Sequence, residues 1–244
     1  ISNGFSVIGI DNLNDYYDVK LKKNRINEIS TCEYAYNFEF NKIDIADKGS
    51  LLELFKGNNI NFIINLAAQP GVRYSLINPE AYIYSNIVGF ANILECCRNS
   101  DVGHFIYASS SSVYGLNKTL PYSCHHDVSH PVSLYAATKK SDEMIAHAYS
   151  HLFGIPCTGL RFFTVYGPWG RPDMSPYLFT SAIIQHRPIK LFNHGNMKRD
   201  FTYIDDIVDG VFKIIFQKPV PNASYNLLSP DPAGSSAPWA IYNI

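Results

Sequence analysis

The sequence predicts an α/β fold: a doubly wound parallel sheet followed by a smaller C-terminal lobe. Short apolar runs of strand length alternate with helical stretches from the start of the chain to about residue 163, an alternation typical of parallel sheets. The later part is richer in proline, glycine and aromatic residues, as in YGPWGRPD at 166–173. We therefore predict one α/β domain over residues 1–163 and a lobe over 164–244 that is interleaved with it.

Apolar runs predict the strands of the sheet. A strand that is buried on both faces is continuously apolar, and FSVIGI at residues 5–10, which ends at Asp11, is an example. The predicted strands lie at residues 5–10, 38–45, 61–66, 104–109 and 157–162. In the lobe, a further strand is predicted at 189–192.

Helices are predicted in the intervals between these strands. The stretch at 79–98 begins with Pro79, a residue that the first turn of a helix accepts. The stretch at 19–29 has a basic outer face, which is typical of a solvated helix surface. The predicted helices lie at residues 19–29, 48–55, 79–98 and 133–153, with one more at 176–185 in the lobe.

Composition and charge restrict the function. The formal net charge is -1 and the pI about 6.8, which argues against nucleic acid or an anionic membrane as the main partner. Five scattered cysteines without a CxxC pair are typical of reduced thiols in a cytosolic protein. The adjacent Cys124, His125 and His126 cannot easily aim at one ion, so we predict a plain loop and no metal site.

The ends of the chain give a further expectation. Residues 1–4 (ISNG) are typical of the end of a helix with its capping glycine, without the basic start of a signal peptide. We therefore expect the chain to begin within a domain. It ends in a strand-like segment at 242–244.

The pattern YAATK at 135–139 carries the first chemical signal. Positions i and i+4 share one face of a helix, so Tyr135 and Lys139 are predicted neighbours. A nearby ammonium favours the phenolate and lowers the pKa of a tyrosine. A tyrosine of this kind can act as a general base at neutral pH.

A serine tract, YASSSSVYG at 107–115, lies upstream of this pair. It follows a predicted strand, so Ser110 is expected at the carboxyl edge of the sheet, where open α/β sheets bind ligands. Asp11 also ends a predicted strand and suits the acidic residue that binds an adenosine ribose. The glycine-rich phosphate turn expected about 20 residues earlier would lie before Ile1.

Seven segments together resemble the extended short-chain dehydrogenase/reductases of the NAD-dependent epimerase/dehydratase family, and within it UDP-glucuronate 4-epimerases. They follow the family's order and span nearly the whole chain. The segments are residues 9–22, 65–79, 85–95, 107–117, 130–140, 159–174 and 198–210. The resemblance implies a Rossmann-like fold, bound NAD, a UDP-sugar substrate and a substrate-binding C-terminal lobe.

The resemblance also implies a role for individual residues. Tyr135 and Lys139 act in catalysis and bind the nicotinamide ribose, and Ser110 acts with them. The other residues implied to contact NAD are Asp11, Asn12, Asp44, Ile45, Leu66, Ala67, Ala68, Gln69, Asn86 and Phe162. The residues implied to face the UDP-sugar are Arg73, Ser75, Ser110, Ser111, Thr164, Arg171 and Arg199.

The expected substrate is UDP-glucuronate, because Arg171 and Thr164 would face the sugar's C6 substituent and the fork of Arg171 suits a carboxylate. An ion pair between Arg171 and Asp173 on a surface loop is the competing interpretation of that arginine. UDP-glucuronate decarboxylase and UDP-N-acetylglucosamine 4-epimerase remain open within the family, whereas Ser111 and Ser112 disfavour a 4,6-dehydratase. A non-catalytic NAD-binding protein and an inactive fragment also remain open. A homodimer through the helices at 79–98 and 133–153 is implied by the resemblance as well.

Overall fold

A computed structural model describes residues 1–191 and 193–244 of the chain. The chain divides into two compact units. Unit 1 comprises Ile1–Ile43 and Thr164–Val208, and unit 2 comprises Asp44–Phe163 and Asp209–Ile244. In this division, residues 1–43 group with the first part of the predicted lobe, Thr164–Val208.

Eight strands are found among the described residues: β1 Val7–Ile10, β2 Phe38–Asn41, β3 Phe62–Asn65, β4 His104–Ser110, β5 Cys157–Phe162, β6 Thr164–Tyr166, β7 Phe201–Tyr203 and β8 Trp239–Asn243. The seven α-helices of the same residues are α1 Val19–Ser30, α2 Lys48–Gly57, α3 Pro79–Tyr82, α4 Gly89–Arg98, α5 Leu134–Phe153, α6 Ser175–Ile184 and α7 Ile204–Ile215.

All strand pairs are parallel, which confirms the predicted α/β class. Unit 2 holds a four-stranded sheet in the order β3-β4-β5-β8, and unit 1 holds the pairs β1-β2 and β6-β7. The central strand β4 (HFIYASS) is buried along almost its whole length. Parallel strands buried on both faces need such an apolar sequence.

Aromatic packing fixes β4 against α4. The ring of Phe90 on α4 lies edge-on to Phe105 at 5.5 Å and to Tyr107 at 5.3 Å between centroids. All three residues are buried. These buried rings pack the strand that leads to Ser110 against α4.

Capping residues set the ends of α5, the helix that carries the predicted catalytic pair. Ser133 caps its first turn by accepting a hydrogen bond from the backbone N–H of Ala136 at 3.1 Å, as serine does at helix starts. Gly154 ends it with φ +70°, a left-handed conformation that glycine adopts without strain.

The structure corrects two predicted elements. The helix predicted at 79–98 is interrupted, because Ile83–Val88 forms a π-helical segment between α3 and α4. The strand predicted at 189–192 is wrong over residues 189–191, which lie outside any strand, and Phe192 falls outside the described residues. The parallel partners β6 and β7, which the sequence did not predict, have three residues each, too few for a periodic pattern.

Candidate active site

Tyr135 and Lys139 lie one turn apart on α5, as the sequence predicts, and hence on one helix face. Tyr135 is partly exposed, and its ring lies edge-on to that of Tyr82 with 6.1 Å between centroids. Tyr82 is fully buried and donates hydrogen bonds to the carbonyls of Pro70, at 2.7 Å, and Gly71. The ring of Tyr135 therefore packs against a buried, hydrogen-bonded tyrosine.

Lys139 is held by a carboxylate within the same helix. Its Nζ donates to Asp142 Oδ2 at 2.7 Å, and both side chains are buried, with 4% and 1% of their surface exposed. Burial raises the pKa of Asp142 to about 6, against the opposing effect of the Lys139 charge. The ammonium of the predicted pair thus has a buried counterion three positions further along the helix, which was not among the predicted site residues.

Ser110 ends β4 and begins a 3-10 helix at Ser111–Tyr114. Its Oγ accepts the backbone N–H of Ser112 at 3.2 Å, so the hydroxyl hydrogen is left for another acceptor. Gly115 ends the 3-10 helix with φ +54°, and any Cβ there would collide with the His130 carbonyl. This turn keeps Ser110 at the carboxyl edge of the sheet, against which α5 packs.

A buried charge network ties β4 and β5 to α5. Glu143 accepts hydrogen bonds from Ser109 Oγ at 2.6 Å and from Arg161 at 2.8 and 3.0 Å, and Lys140 contacts it at 3.2 Å. Arg161 also donates to Tyr114 Oη at 3.1 Å. Burial alone would raise the pKa of Glu143, but the hydrogen bonds and charge of Arg161 hold it below the usual value.

The loop after β3 is tied to α5 through buried polar groups. Asn86 accepts the backbone N–H of Gln69 at 2.7 Å and donates to Thr138 Oγ1 at 2.9 Å. Between β3 and Gln69, the backbone runs through Leu66, Ala67 and Ala68, of which the first two are exposed. A rigid segment of small and apolar residues at the carboxyl end of a parallel strand suits the flat ring and ribose of a dinucleotide.

The predicted adenosine residues lie in different units. In unit 1, Asp11 follows β1, is exposed, accepts the backbone N–H of Leu13 at 2.6 Å and lies 3.6 Å from Lys22 Nζ. Asn12 accepts the backbone N–H of Asn14 at 3.0 Å. In unit 2, Asp44 accepts the N–H of Ala46 at 2.8 Å, beside the buried Ile45. The Asp11 carboxylate is a hydrogen-bond acceptor of the kind that suits the hydroxyls of a ribose. Phe162, at the end of β5, is half-buried.

The structure places the predicted substrate residues in varied settings. Arg171 donates to both oxygens of Asp173, at 3.0 and 3.2 Å, and Tyr16 Oη donates to the same carboxylate at 3.2 Å. This is the ion pair that the sequence offers as the competing interpretation of Arg171. Ser75 is buried and donates to the Val72 carbonyl at 2.6 Å. The remaining substrate residues are at least partly exposed: Arg73, Ser111, Thr164 and Arg199.

The loop at 124–126 was predicted to be a plain loop without a metal site. His125 Nδ1 lies 2.8 Å from Asp231 Oδ1, and His126 Nδ1 accepts the backbone N–H of Ser123 at 3.3 Å. The two imidazoles therefore make different local contacts.

Among residues 1–191 and 193–244, no helix is both long and apolar enough to cross a membrane.

The chain belongs to the NAD-dependent epimerase/dehydratase family, whose model matches residues 1–227. The family depends on NAD, which confirms the cofactor that the resemblance implies.

Two curated proteins and one solved structure are similar to this chain over most of its length. The chain is 52% identical over its whole length to Protein CapI of Staphylococcus aureus and covers 72% of that protein. It is 51% identical over 211 residues to UDP-glucuronate 4-epimerase 4 of Arabidopsis thaliana. The matched residues make up 85% of this chain and 47% of the plant protein. The crystal structure of UDP-glucuronic acid 4-epimerase from Bacillus cereus with UDP-glucuronic acid and NAD matches 99% of this chain and 70% of that one, with a TM-score of 0.82 and 30% identity.

Proposed function

We propose that this protein interconverts UDP-glucuronate and UDP-galacturonate by epimerisation at C4, using bound NAD. The observation that carries the proposal is the arrangement in unit 2. There Ser110 ends β4, and α5, which presents Tyr135 and Lys139 on one face, packs against that strand and the turn that follows it. The relatives that are named UDP-glucuronate 4-epimerases support the choice of substrate.

The chain's own residues would handle the proton and the orientation of the sugar. Tyr135, as phenolate, accepts the proton of the sugar O4 hydroxyl, and Ser110 donates a hydrogen bond that positions O4. Lys139 stabilises the phenolate. NAD, when bound, supplies the acceptor and the later donor of the C4 hydrogen. After the 4-keto sugar turns over in the site, Tyr135 returns the proton to O4, so no net redox change occurs.

The predicted cofactor residues would contact different parts of NAD. The carboxylate of Asp11 would bind the adenosine ribose and disfavour a 2′-phosphate, with Asn12 beside it. Asp44 and Ile45 would flank the adenine. The Leu66–Gln69 segment and Asn86 would lie along the cofactor, while Phe162 and the catalytic pair would meet its nicotinamide end.

Arg171 would select the uronic acid. Burying the substrate's carboxylate is costly unless a cation pairs with it, and a guanidinium offers two parallel donors to a carboxylate. In the structure this fork already binds a carboxylate, that of Asp173. Arg171 would therefore exchange Asp173 for the substrate, with Thr164 adding a hydroxyl. Arg199 would meet the diphosphate, and Arg73, Ser75 and Ser111 the sugar.

The product formed from UDP-glucuronate tests this function. A 4-keto uronic acid is a β-keto acid and tends to lose CO₂. An epimerase must therefore keep the C–C bond to the carboxylate near the plane of the sugar ring, where that bond overlaps poorly with the π-system of the ketone. We expect the purified full-length protein to yield UDP-galacturonate with little UDP-pentose, as measured by chromatography of the nucleotide sugars.

Two different outcomes of that incubation would refute the assignment. UDP-pentose as the main product would identify a decarboxylase. No turnover of UDP-glucuronate, together with turnover of UDP-N-acetylglucosamine, would show that Arg171 does not select a carboxylate. A matched Arg187→Gln control, at an exposed residue of the same unit, should leave the product pattern unchanged, whereas Arg171→Gln should weaken the use of UDP-glucuronate.

We also propose a homodimer and a cytoplasmic location. Apolar side chains on the predicted dimer helices are exposed, among them Tyr84, Met144 and Leu152 at 61%, 46% and 67%, as a helical interface would require. All five cysteines, each within the described residues, are free thiols, which suits a reducing compartment.

A further inference from the structure

The buried pair of Lys139 and Asp142 has an unsatisfied group. Asp142 Oδ2 accepts from Lys139 Nζ at 2.7 Å, but Asp142 Oδ1, which is equally buried, has no hydrogen-bond partner among the described residues. An unsatisfied buried carboxylate oxygen is costly. Because Asp142 is buried in spite of this cost, we infer that its carboxylate acts on Lys139, its hydrogen-bond partner.

The surrounding charges leave Lys139 and Asp142 as a pair of their own. The neighbouring Glu143 is occupied by Arg161, Lys140 and Ser109. From β4, the fully buried Tyr107 faces this region; burial raises its pKa well above the usual value, and Glu143 and Asp142 add to the effect. Lys139 is therefore the cation that balances Asp142, and Asp142 is the anion that balances Lys139.

This pairing has a consequence for Tyr135. The pKa of a phenol falls in the field of an ammonium, and a carboxylate bound to that ammonium cancels part of the field. The cancellation is strong where burial excludes water. The charge of Asp142 thus controls how far Lys139 can favour the Tyr135 phenolate.

We propose that Asp142 is a positioning residue that fixes the Lys139 ammonium and moderates its effect on the Tyr135 phenol. The inference rests on the proposed role of Tyr135 as the base. It assigns to Asp142 two separable effects: its oxygen holds Nζ in place, and its charge moderates the field at the phenol. The raised pKa of Asp142, about 6 because of burial, places its ionisation within the working range of an enzyme.

Replacing Asp142 by asparagine separates the two effects. Asp142→Asn retains an oxygen that accepts from Lys139 Nζ but removes the charge, so the titration of the Tyr135 phenol should shift to lower pH than in the wild type. The probe is the ¹³Cζ resonance of Tyr135 in the NAD-bound protein, assigned by its loss in Tyr135→Phe and titrated against pH. The acid limb of the kcat profile should shift to lower pH by the same amount.

Two control variants distinguish the effect of the Asp142 charge on Tyr135 from a structural effect of the substitution. Asp209→Asn makes the same change in an exposed pair with Lys213, at 2.6 Å on α7, and should shift neither profile. Asp142→Ala also loses the oxygen, so it should lower the pKa of Tyr135 and reduce the kcat plateau as well. An unchanged or raised pKa of Tyr135 in Asp142→Asn would overturn the proposal.

Two further readouts keep the proposal testable. If the variants do not fold, the wild-type Tyr135 resonance should still show an inflection as Asp142 ionises, and its absence would overturn the proposal. Because the titration needs no UDP-sugar, a shifted Tyr135 in a protein that does not convert UDP-glucuronate would refute the proposed function alone. A normal epimerase with an unshifted Tyr135 would refute this inference alone.

Discussion

Tyr135→Phe is expected to lower the turnover of UDP-glucuronate by about 10²–10⁴-fold, the usual loss on removing a general base. The phenylalanine retains the ring that packs on Tyr82, so the fold should be preserved. Turnover is measured as UDP-galacturonate formed per enzyme at saturating substrate. Turnover close to that of the wild type would contradict the role of Tyr135.

A matched control lies on the same helix. Tyr149 donates a hydrogen bond to Glu95 at 2.6 Å, and Tyr149→Phe should leave turnover nearly unchanged. Ser110→Ala should slow the reaction, but less than Tyr135→Phe, because it removes a positioning hydrogen bond and not the base. If Ser111→Ala has the larger effect, the serine that positions O4 is Ser111.

Glu143→Gln is expected to reduce the free energy of unfolding by about 3–5 kcal/mol, because it leaves the buried Arg161 without its counterion. Arg161 and Glu143 are both fully buried and share two hydrogen bonds. Denaturant unfolding followed by circular dichroism measures the loss. The same network holds Ser109, next to Ser110, so the variant should also slow turnover.

The control for this prediction is Glu95→Gln. Glu95 contacts Arg98 at 3.5 Å, and both side chains are partly exposed, at 29% and 46%. Glutamine keeps an oxygen that can accept from the Tyr149 hydroxyl, so losing the charge should cost about 1 kcal/mol or less. Equal losses in the two variants would show that the buried pair contributes no more than a surface pair.

The sequence predicted the parts of the site that depend on local spacing. Tyr135 and Lys139 share a helix face because of the i,i+4 spacing alone, and Ser110 lies at the end of a strand that its apolar run marks. The contacts of Glu143 with Arg161 and Ser109 could not be predicted, because they join residues 18 and 34 positions apart through the folded sheet. Asp142 was overlooked even though its i,i+3 spacing from Lys139 was visible.

In the fold, too, features that depend on local sequence were predicted, whereas features that depend on long-range contacts were not. Strands in the first part were predicted within a few residues because each lies in a short, mainly apolar run. The π-helical segment at Ile83–Val88 and the short parallel pair β6-β7 were not predicted, since both depend on tertiary contacts and leave no periodic pattern. The ion pair of Arg171 with Asp173 was foreseen as one of two options, and the partner that Arg171 takes in the presence of substrate remains a prediction.

Transient oxidation at C4 is the central claim, and a label at that carbon tests it most directly. The full-length protein is incubated with UDP-[4-²H]glucuronate without added NAD, and the product is analysed by NMR and mass spectrometry. We expect UDP-galacturonate that retains the deuterium at C4, because the hydrogen removed from C4 returns to the same carbon. Product with hydrogen from the solvent at C4, or recovery of unchanged substrate only, would contradict it.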